Sequence, residues 1–127
     1  MTRILVVDDS ATMRRIVRNH LQSMGFESVE EVETGQAALA RIEAGTVDML
    51  VSDWAMPAMS GLDLLQSIRR NPKHSRLPVL MVTGIGLEDD IRQAVEAGVS
   101  GYILKPFDPK TLAAKVKEIL SEATVKA

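Results

Sequence analysis

The chain has 127 residues, a length typical of one domain that can bury an apolar core without disulfide bonds. Its 15 Lys and Arg and 17 Asp and Glu leave a net charge of −2, and no basic block of the kind that binds nucleic acid is present. Cysteine is absent, which excludes disulfides and thiolate metal sites. No apolar run reaches the roughly 20 residues of a membrane-spanning helix, so we expect a cytoplasmic domain over residues 1–127 with no membrane or nucleic-acid partner.

Short aliphatic runs alternate with helical patterns along the whole chain. Residues 3–8 are a mainly aliphatic run, typical of a strand that is buried on both faces. Over residues 10–24, apolar side chains recur at steps of three and four, which predicts a helix closed by Gly25. The same combination of an amphipathic pattern and a closing glycine predicts helices at 34–44 and 88–97.

Four more short and mostly aliphatic runs predict the remaining strands, at 28–32, 47–52, 78–83 and 100–104. The first of these four contains Glu30 and Glu31, which favours an edge position in the sheet. Strands that alternate with helices form a parallel sheet covered on both faces and joined by right-handed crossovers. We therefore predict an α/β fold, a single doubly wound sheet of five parallel strands in the order 2-1-3-4-5, as in flavodoxin.

Helix ends and exposed helix faces are also predicted. Asp108 can cap the last helix because Pro109 suits the first helical position. The end of the chain, residues 122–127, is predicted to be frayed. The arginines of the first helix are predicted to form a solvated face; they are Arg14, Arg15 and Arg18.

Side chains suited to phosphoryl chemistry stand where the predicted strands stop. They are Asp8 and Asp9 after the first strand, Asp53 after the third, Thr83 at the end of the fourth and Lys105 after the fifth. Because parallel α/β sheets carry their functional groups at the carboxyl ends of the strands, one crevice would collect them. Neighbouring carboxylates repel one another, and a hard divalent cation such as Mg²⁺ would relieve the repulsion. Taken singly, the acids also fit a polar turn, and the lysine and threonine also fit solvated surface residues.

The chemistry of such a crevice is that of phosphoryl transfer. A carboxylate can accept a phosphoryl group as an aspartyl phosphate. The transfer depends mainly on positioning and on neutralising charge, which a cation, the Lys105 ammonium and the Thr83 hydroxyl would supply. The set of strand-end residues therefore favours phosphoryl transfer over the interpretation of each residue alone.

Several motifs in the chain resemble those of response-regulator receiver domains, and together they span essentially its whole length. The similarity is greatest to the single-domain members of that family that act in chemotaxis. The segments that carry the resemblance are 6–9, 12–19, 52–57 with Gly61, 78–83, 97–102 and 105–107.

The resemblance implies a role for each strand-end residue. Asp53 would be the phosphoacceptor, and a phosphohistidine on a sensor histidine kinase would supply the phosphoryl group. Lys105 would contact that group. The implied ligands of Mg²⁺ are Asp8, Asp9, Asp53 and the backbone carbonyl of Ala55. The implied switch residues are Thr83 and Tyr102. The resemblance also favours a cis peptide bond before Pro106, which would aim the lysine back into the crevice.

The resemblance further implies a signalling protein and not an enzyme that acts on a separate substrate. Its output face would lie on the fourth helix, fifth strand and fifth helix, with the flagellar motor switch as the candidate partner and a phosphatase as a further candidate. We expect a monomer. The candidate surface residues are Ile91, Val95, Tyr102, Leu104 and Lys115, although Ile91 and Val95 also fit a place in the core.

Four positions depart from the pattern of the chemotaxis members. Ala55 stands where they carry Asn, and Ile85 stands where they carry an acid. Both positions flank the path of the water that hydrolyses an aspartyl phosphate, so we expect slow self-dephosphorylation. Glu88 replaces a base near the output face, which weakens the case for the flagellar partner, and Ser10 replaces an aromatic residue and can cap the first helix.

Other functions remain open at the level of sequence. One is a receiver that acts as a phosphate shuttle or sink, without an output face of its own. A phosphatase of the haloacid-dehalogenase type would need an Asp-x-Asp motif after the first strand and a cap domain, and a flavodoxin-like electron carrier would need a Ser/Thr/Gly-rich phosphate loop there. The chain has none of these features. It also has no DNA-binding module, so a role in transcription would require a longer protein.

Overall fold

Five parallel strands form one sheet in the order β2-β1-β3-β4-β5. The computed structural model describes residues 2–84 and 88–126, without the side chains of residues 88 and 123–126. The strands are β1 (Arg3–Val7), β2 (Ser28–Val32), β3 (Met49–Asp53), β4 (Val79–Thr83) and β5 (Gly101–Leu104). The helices are α1 (Ala11–Ser23), α2 (Gly35–Glu43), α3 (Gly61–Arg70), α4 (Glu88–Glu96) and α5 (Pro109–Lys126). The predicted doubly wound fold and strand order are confirmed.

Apolar side chains of the central strands pack into two layers, one on each face of the sheet. In β1, Ile4 and Val6 enter the layer covered by α1 and α5, whereas Leu5 and Val7 enter the layer covered by α2 and α3. Successive strand residues point to opposite faces, so a strand covered on both sides must be apolar throughout. Each fully buried Leu, Ile or Val contributes roughly 1.5–3 kcal/mol to stability. The same aliphatic runs that predict the strands in the sequence therefore stabilise the sheet.

The caps predicted from the sequence are present. Ser10 Oγ accepts the Met13 N–H at 3.2 Å, and Asp108 Oδ1 accepts the Thr111 N–H at 2.7 Å. The glycines that close α1, α2 and α4 have the left-handed φ values of 98°, 77° and 88° that favour glycine; they are Gly25, Gly45 and Gly98. The backbone of α5 is helical to Lys126, beyond residue 122, where the sequence predicts fraying to begin. That prediction concerns motion and stays a prediction.

Ion pairs cover the β2 edge of the sheet, as its acidic residues predict. Glu30 pairs with Arg41 of α2, and Glu31 pairs with Arg14 and Arg18 of α1. Charged side chains on an edge strand oppose pairing with another chain. Among the helices of the described residues, none combines the length and the apolarity needed to span a bilayer.

The expectation that Arg14 lies on a solvated face is wrong. Its side chain is only 16% exposed. The guanidinium lies 3.5 Å from Glu31, and its Nη1 donates to the backbone carbonyl of Asp8 at 2.7 Å. The charge pattern of the helix placed this side chain at the surface, but two acceptors, one just after β1 and one on β2, draw it inward. Arg15 and Arg18 are exposed, as predicted.

Candidate phosphoacceptor and metal site

The carboxyl ends of β1, β3, β4 and β5 meet at one edge of the sheet. Because β1 pairs with both β2 and β3, the strand order reverses beside β1, and a crevice opens there. Backbone hydrogen bonds continue past the strand ends: Trp54 N–H donates to the Val82 carbonyl at 3.0 Å, and Lys105 N–H donates to the Thr83 carbonyl at 2.8 Å. These bonds fix the residues after the strands relative to one another.

The acids predicted to converge do so. One carboxylate oxygen each of Asp8, Asp9 and Asp53 lies within 4.8 Å of the other two. Asp8 is 4% and Asp53 8% exposed, whereas Asp9 is exposed. Burial is the main cause that raises the pKa of Asp8, and the charge of Asp53 raises it further. The Ser10 N–H, which donates to Asp8 Oδ1 at 2.9 Å, opposes this rise.

These residues fit a hard divalent cation. Mg²⁺ takes a few carboxylate oxygens together with waters and phosphate oxygens, and the cluster offers oxygen ligands only. Two of the three carboxylates are almost shielded from water, which leaves their mutual repulsion poorly screened. A cation at this point would offset both the cost of burying the charged carboxylates and the repulsion between them.

Lys105 reaches the cluster from the end of β5. Its Nζ donates to Asp53 Oδ1 at 3.0 Å, and the lysine side chain is 26% exposed. The Lys105–Pro106 peptide bond is cis, as predicted. The alternative of a solvated surface lysine is therefore wrong. A charge-assisted hydrogen bond to Asp53 places the ammonium where it would also contact a group attached to that carboxylate.

Thr83 lines a small cavity. It is the last residue of β4 and is 7% exposed. The cavity behind it measures about 10 Å³, which is the limit for holding one water molecule. Its lining consists of Trp54, Met81, Thr83, Asp90, Ile91, Ala94 and Tyr102. The Tyr102 ring is 38% exposed and cannot fit into this volume unless the lining moves.

The candidate output face exposes apolar side chains. Val95 is 59% and Leu104 45% exposed, so the alternative of a core position for Val95 is wrong. Ile91 is half-buried at the cavity. Lys115 pairs with Glu118 of the same helix at 3.5 Å. Of the other residues singled out from the sequence, Ile85 and the side chain of Glu88 lie outside the described part of the chain.

The loop between β3 and α3 is shaped by two backbone features. A Cβ atom on Gly61 would lie 2.3 Å from the Asp53 carbonyl oxygen, so only glycine fits there. Ala58 has a φ of 68°, and the N–H of the next residue donates across it to the Pro57 carbonyl at 2.7 Å. This is the γ-turn with positive φ, a rare and strained form. Sequence reasoning missed Ala58, because alanine carries no signal for a left-handed conformation.

Comparison with known proteins identifies the family. Residues 4–117 match the response regulator receiver domain. The chain belongs to this family. The chemotaxis protein CheY of Pseudomonas aeruginosa is 45% identical over 117 residues, which cover 92% of this chain and 94% of that protein. Chemotaxis protein CheY-3 of Vibrio cholerae is 46% identical over 117 residues, which cover 92% of this chain and 90% of that protein.

Solved structures agree with this assignment. A CheY-like response regulator receiver domain protein from Methanospirillum hungatei superimposes with a TM-score of 0.90 at 30% sequence identity, covering 100% of this chain and 99% of that one. The resemblance inferred from the motifs is therefore confirmed. With it, the protein is a receiver domain of the two-component response-regulator class with a CheY-like fold.

Proposed function

We propose that this response regulator accepts a phosphoryl group on Asp53 from a phosphohistidine of a sensor kinase of the chemotaxis type, in a Mg²⁺-dependent reaction. The observation that carries the proposal is the 3.0 Å bond from Lys105 Nζ to Asp53 Oδ1 beside two further carboxylates. One carboxylate thus lies next to both a lysine ammonium and a candidate divalent-ion site. Phosphoryl transfer requires that arrangement, because its transition state carries charge on the phosphoryl oxygens.

The transfer itself forms one bond and breaks another. An oxygen of the Asp53 carboxylate attacks phosphorus, and the bond between phosphorus and the donor's imidazole nitrogen breaks with its electron pair left on the imidazole. Lys105 then exchanges its bond to the carboxylate for one to a phosphoryl oxygen. The ligands of the metal would be Asp8, Asp9, Asp53 and the Ala55 carbonyl. Bound Mg²⁺ would supply charge neutralisation for the phosphoryl oxygens.

Phosphorylation would then change the output face. The acyl phosphate would carry close to two negative charges next to Thr83, where the free Asp53 carboxylate carries one. The Thr83 hydroxyl would move to donate to a new oxygen and would draw its loop inward. That movement would enlarge the cavity that Thr83 and Tyr102 both line, and the tyrosine ring would turn in. The change shifts an equilibrium between two arrangements of one fold.

The partner of this output face would be another protein. Val95, Tyr102 and Leu104 supply exposed apolar area there, and Ile91 and Lys115 border it. Two of the proteins named above as similar are chemotaxis proteins, which favours the flagellar motor switch as the partner. In this proposal the domain is a cytoplasmic monomer that catalyses only its own phosphorylation and dephosphorylation, with a phosphatase as a further partner.

Intact mass spectrometry tests the proposal. The wild-type protein is incubated with acetyl phosphate, once with Mg²⁺ and once with EDTA, and compared with Asp53→Asn. We expect the mass of one phosphoryl group to appear on the wild type in Mg²⁺ only. Asp48→Asn is the matched control, because Asp48 lies at the other end of β3, where it pairs with Arg3 at 3.0 Å. Equal phosphoryl uptake by wild type and Asp53→Asn would refute the assignment.

A further inference from the structure

Arg14 ties the acidic loop after β1 to the edge strand β2. Its Nη1 donates to the Asp8 carbonyl at 2.7 Å, and its Nε lies 3.5 Å from a carboxylate oxygen of Glu31. Glu31 also accepts a hydrogen bond from Arg18 Nη1 at 3.1 Å. With 16% of its side chain exposed, Arg14 is held more closely than Arg18, whose side chain is 46% exposed.

The carbonyl that Arg14 holds belongs to the peptide bond between the two acids. A hydrogen bond to that oxygen fixes the plane of the peptide, and the plane sets the direction in which the Asp9 side chain leaves the backbone. Asp8 has further restraints: its N–H donates to the Val32 carbonyl at 3.3 Å, and its carboxylate accepts the Ser10 N–H. Asp9 is exposed, so packing does little to hold it in the cluster.

We propose that Arg14 is a positioning residue for the divalent-cation site, which sets the direction of the Asp9 carboxylate by holding the Asp8 carbonyl. The inference rests on the metal role proposed above for Asp8, Asp9 and Asp53. Groups that orient metal ligands from behind typically affect metal affinity by about 10–100-fold. Arg14 acts on the ligands through the backbone and touches neither the metal nor the phosphoryl group.

The sign of the effect separates positioning from simple charge. Arg14 is a cation near a cation site, so removing its charge would by itself tighten Mg²⁺ binding. Removing its hold on the Asp8 carbonyl would weaken binding. A substitution that deletes the guanidinium and weakens Mg²⁺ binding therefore reports the loss of positioning, against the direction of the charge effect.

The test is a titration with Mg²⁺ alone, followed by the fluorescence of Trp54, the only tryptophan in the chain and the neighbour of Asp53. We expect Arg14→Met to weaken Mg²⁺ binding about tenfold. Arg14→Lys keeps the charge and a single donor nitrogen but loses the planar guanidinium that spans both acceptors. Its Mg²⁺ affinity should therefore lie between those of wild type and Arg14→Met. Arg18→Met is the matched control, since it deletes the same charge beside the same Glu31, and it should leave the affinity within about twofold of wild type.

Each outcome decides a different point. Unchanged or tighter Mg²⁺ binding by Arg14→Met, or an equal loss in Arg18→Met, would overturn the positioning role. If Arg14→Met does not fold by circular dichroism, Arg14→Lys decides, and wild-type affinity in that variant would overturn the role as well. Failure of the wild type to bind Mg²⁺ would instead refute the metal part of the proposed function, and this inference with it.

Discussion

Two loops meet at the site, and they are held in different ways. The loop between β1 and α1 carries Asp8 and Asp9 and is held largely by hydrogen bonds that involve side chains: the Asp8 carboxylate accepts the Ser10 N–H, the Ser10 hydroxyl caps α1, and the Arg14 guanidinium donates to the Asp8 carbonyl. The loop between β3 and α3 follows Asp53 and is held by its own backbone, through the γ-turn at Ala58 and the close approach of Gly61.

The two kinds of restraint predict how each loop responds to substitution. Side-chain restraints can be removed one at a time, with a local loss in the direction of a ligand. Backbone restraints act through steric exclusion, so a single added methyl group displaces the chain. We therefore expect substitutions of Ala58 and Gly61 to act mainly on folding, and substitution of Arg14 to act mainly on the cation site.

Gly61→Ala should give the largest effect. The new Cβ would meet the Asp53 carbonyl oxygen at 2.3 Å, Met81 Sδ at 2.8 Å and Trp54 Cα at 3.0 Å, and two of these contacts are with backbone atoms that cannot rotate away. We expect a loss of about 3 kcal/mol in the free energy of unfolding, measured by urea denaturation. The matched control is Gly84→Ala, because a Cβ on Gly84 would have no neighbour within 4 Å among the residues that the structure describes, and its cost should stay within about 0.5 kcal/mol. Equal losses in the free energy of unfolding at both positions would show that close backbone packing at Gly61 does not restrain this loop.

Ala55→Asn should speed the loss of the phosphoryl group. Ala55 is exposed two residues after Asp53, and its methyl group cannot hydrogen-bond an attacking water. An amide there would orient that water, and we expect self-dephosphorylation to become about tenfold faster, which equals about 1.4 kcal/mol in the barrier. The decay of the phosphorylated mass with time measures the rate. An unchanged rate would show that this position does not control access of water.

Asp8→Asn should stabilise the protein when no Mg²⁺ is present. Burial raises the pKa of Asp8, so the folded state holds its proton more tightly than the unfolded state. This contribution to stability is fully present below the unfolded pKa and is lost as the pH rises through the folded pKa. At neutral pH the uncharged isostere should therefore gain on the order of 1 kcal/mol in thermal or urea unfolding, and its stability should vary less with pH.

Adding Mg²⁺ should reverse the order of the two proteins. The cation binds the folded wild type and stabilises it, whereas Asp8→Asn has lost one of its ligands. If Mg²⁺ stabilises both proteins equally, Asp8 is not a ligand of the cation.

Ala58→Gly should give the smallest effect, and in the opposite direction to Gly61→Ala. A non-glycine residue with a φ of 68° is strained, and glycine removes the strain at the cost of a more flexible unfolded chain. We expect a net gain of about 0.5 kcal/mol in unfolding free energy. Ala40→Gly, inside α2, is the control and should lose about 1 kcal/mol. A loss at position 58 as large as at position 40 would show that the turn is not strained.

The sequence predicts most of the sheet and the main residues of the site for one physical reason. A parallel strand buried on both faces must be aliphatic, so the point where the aliphatic run stops is visible, and the next residue lies at the functional edge. Asp8, Asp53, Thr83 and Lys105 are all found in this way. Their roles in phosphorylation come from resemblance to a family and not from this pattern.

Two residues escape that reasoning. Arg14 belongs to a group of basic residues whose charge pattern marks it as solvated, and only the tertiary fold brings the Asp8 carbonyl and Glu31 within its reach. Ala58 adopts a conformation that alanine disfavours, because the chain must turn sharply between Asp53 and α3. In both cases long-range geometry overrides a local preference, and no residue-by-residue signal records it.

Fluorine NMR of Trp54, the only tryptophan, tests the central claim that one crevice both binds Mg²⁺ and takes a phosphoryl group on Asp53. With 5-fluorotryptophan incorporated, we expect one change in the resonance on adding Mg²⁺. We expect a second, transient change on adding acetyl phosphate, which Asp53→Asn should lack while keeping a response to Mg²⁺. If the wild-type resonance changes with neither addition, or if the Asp53→Asn resonance shows the second change, Asp53 is not the phosphoacceptor of a Mg²⁺-binding crevice.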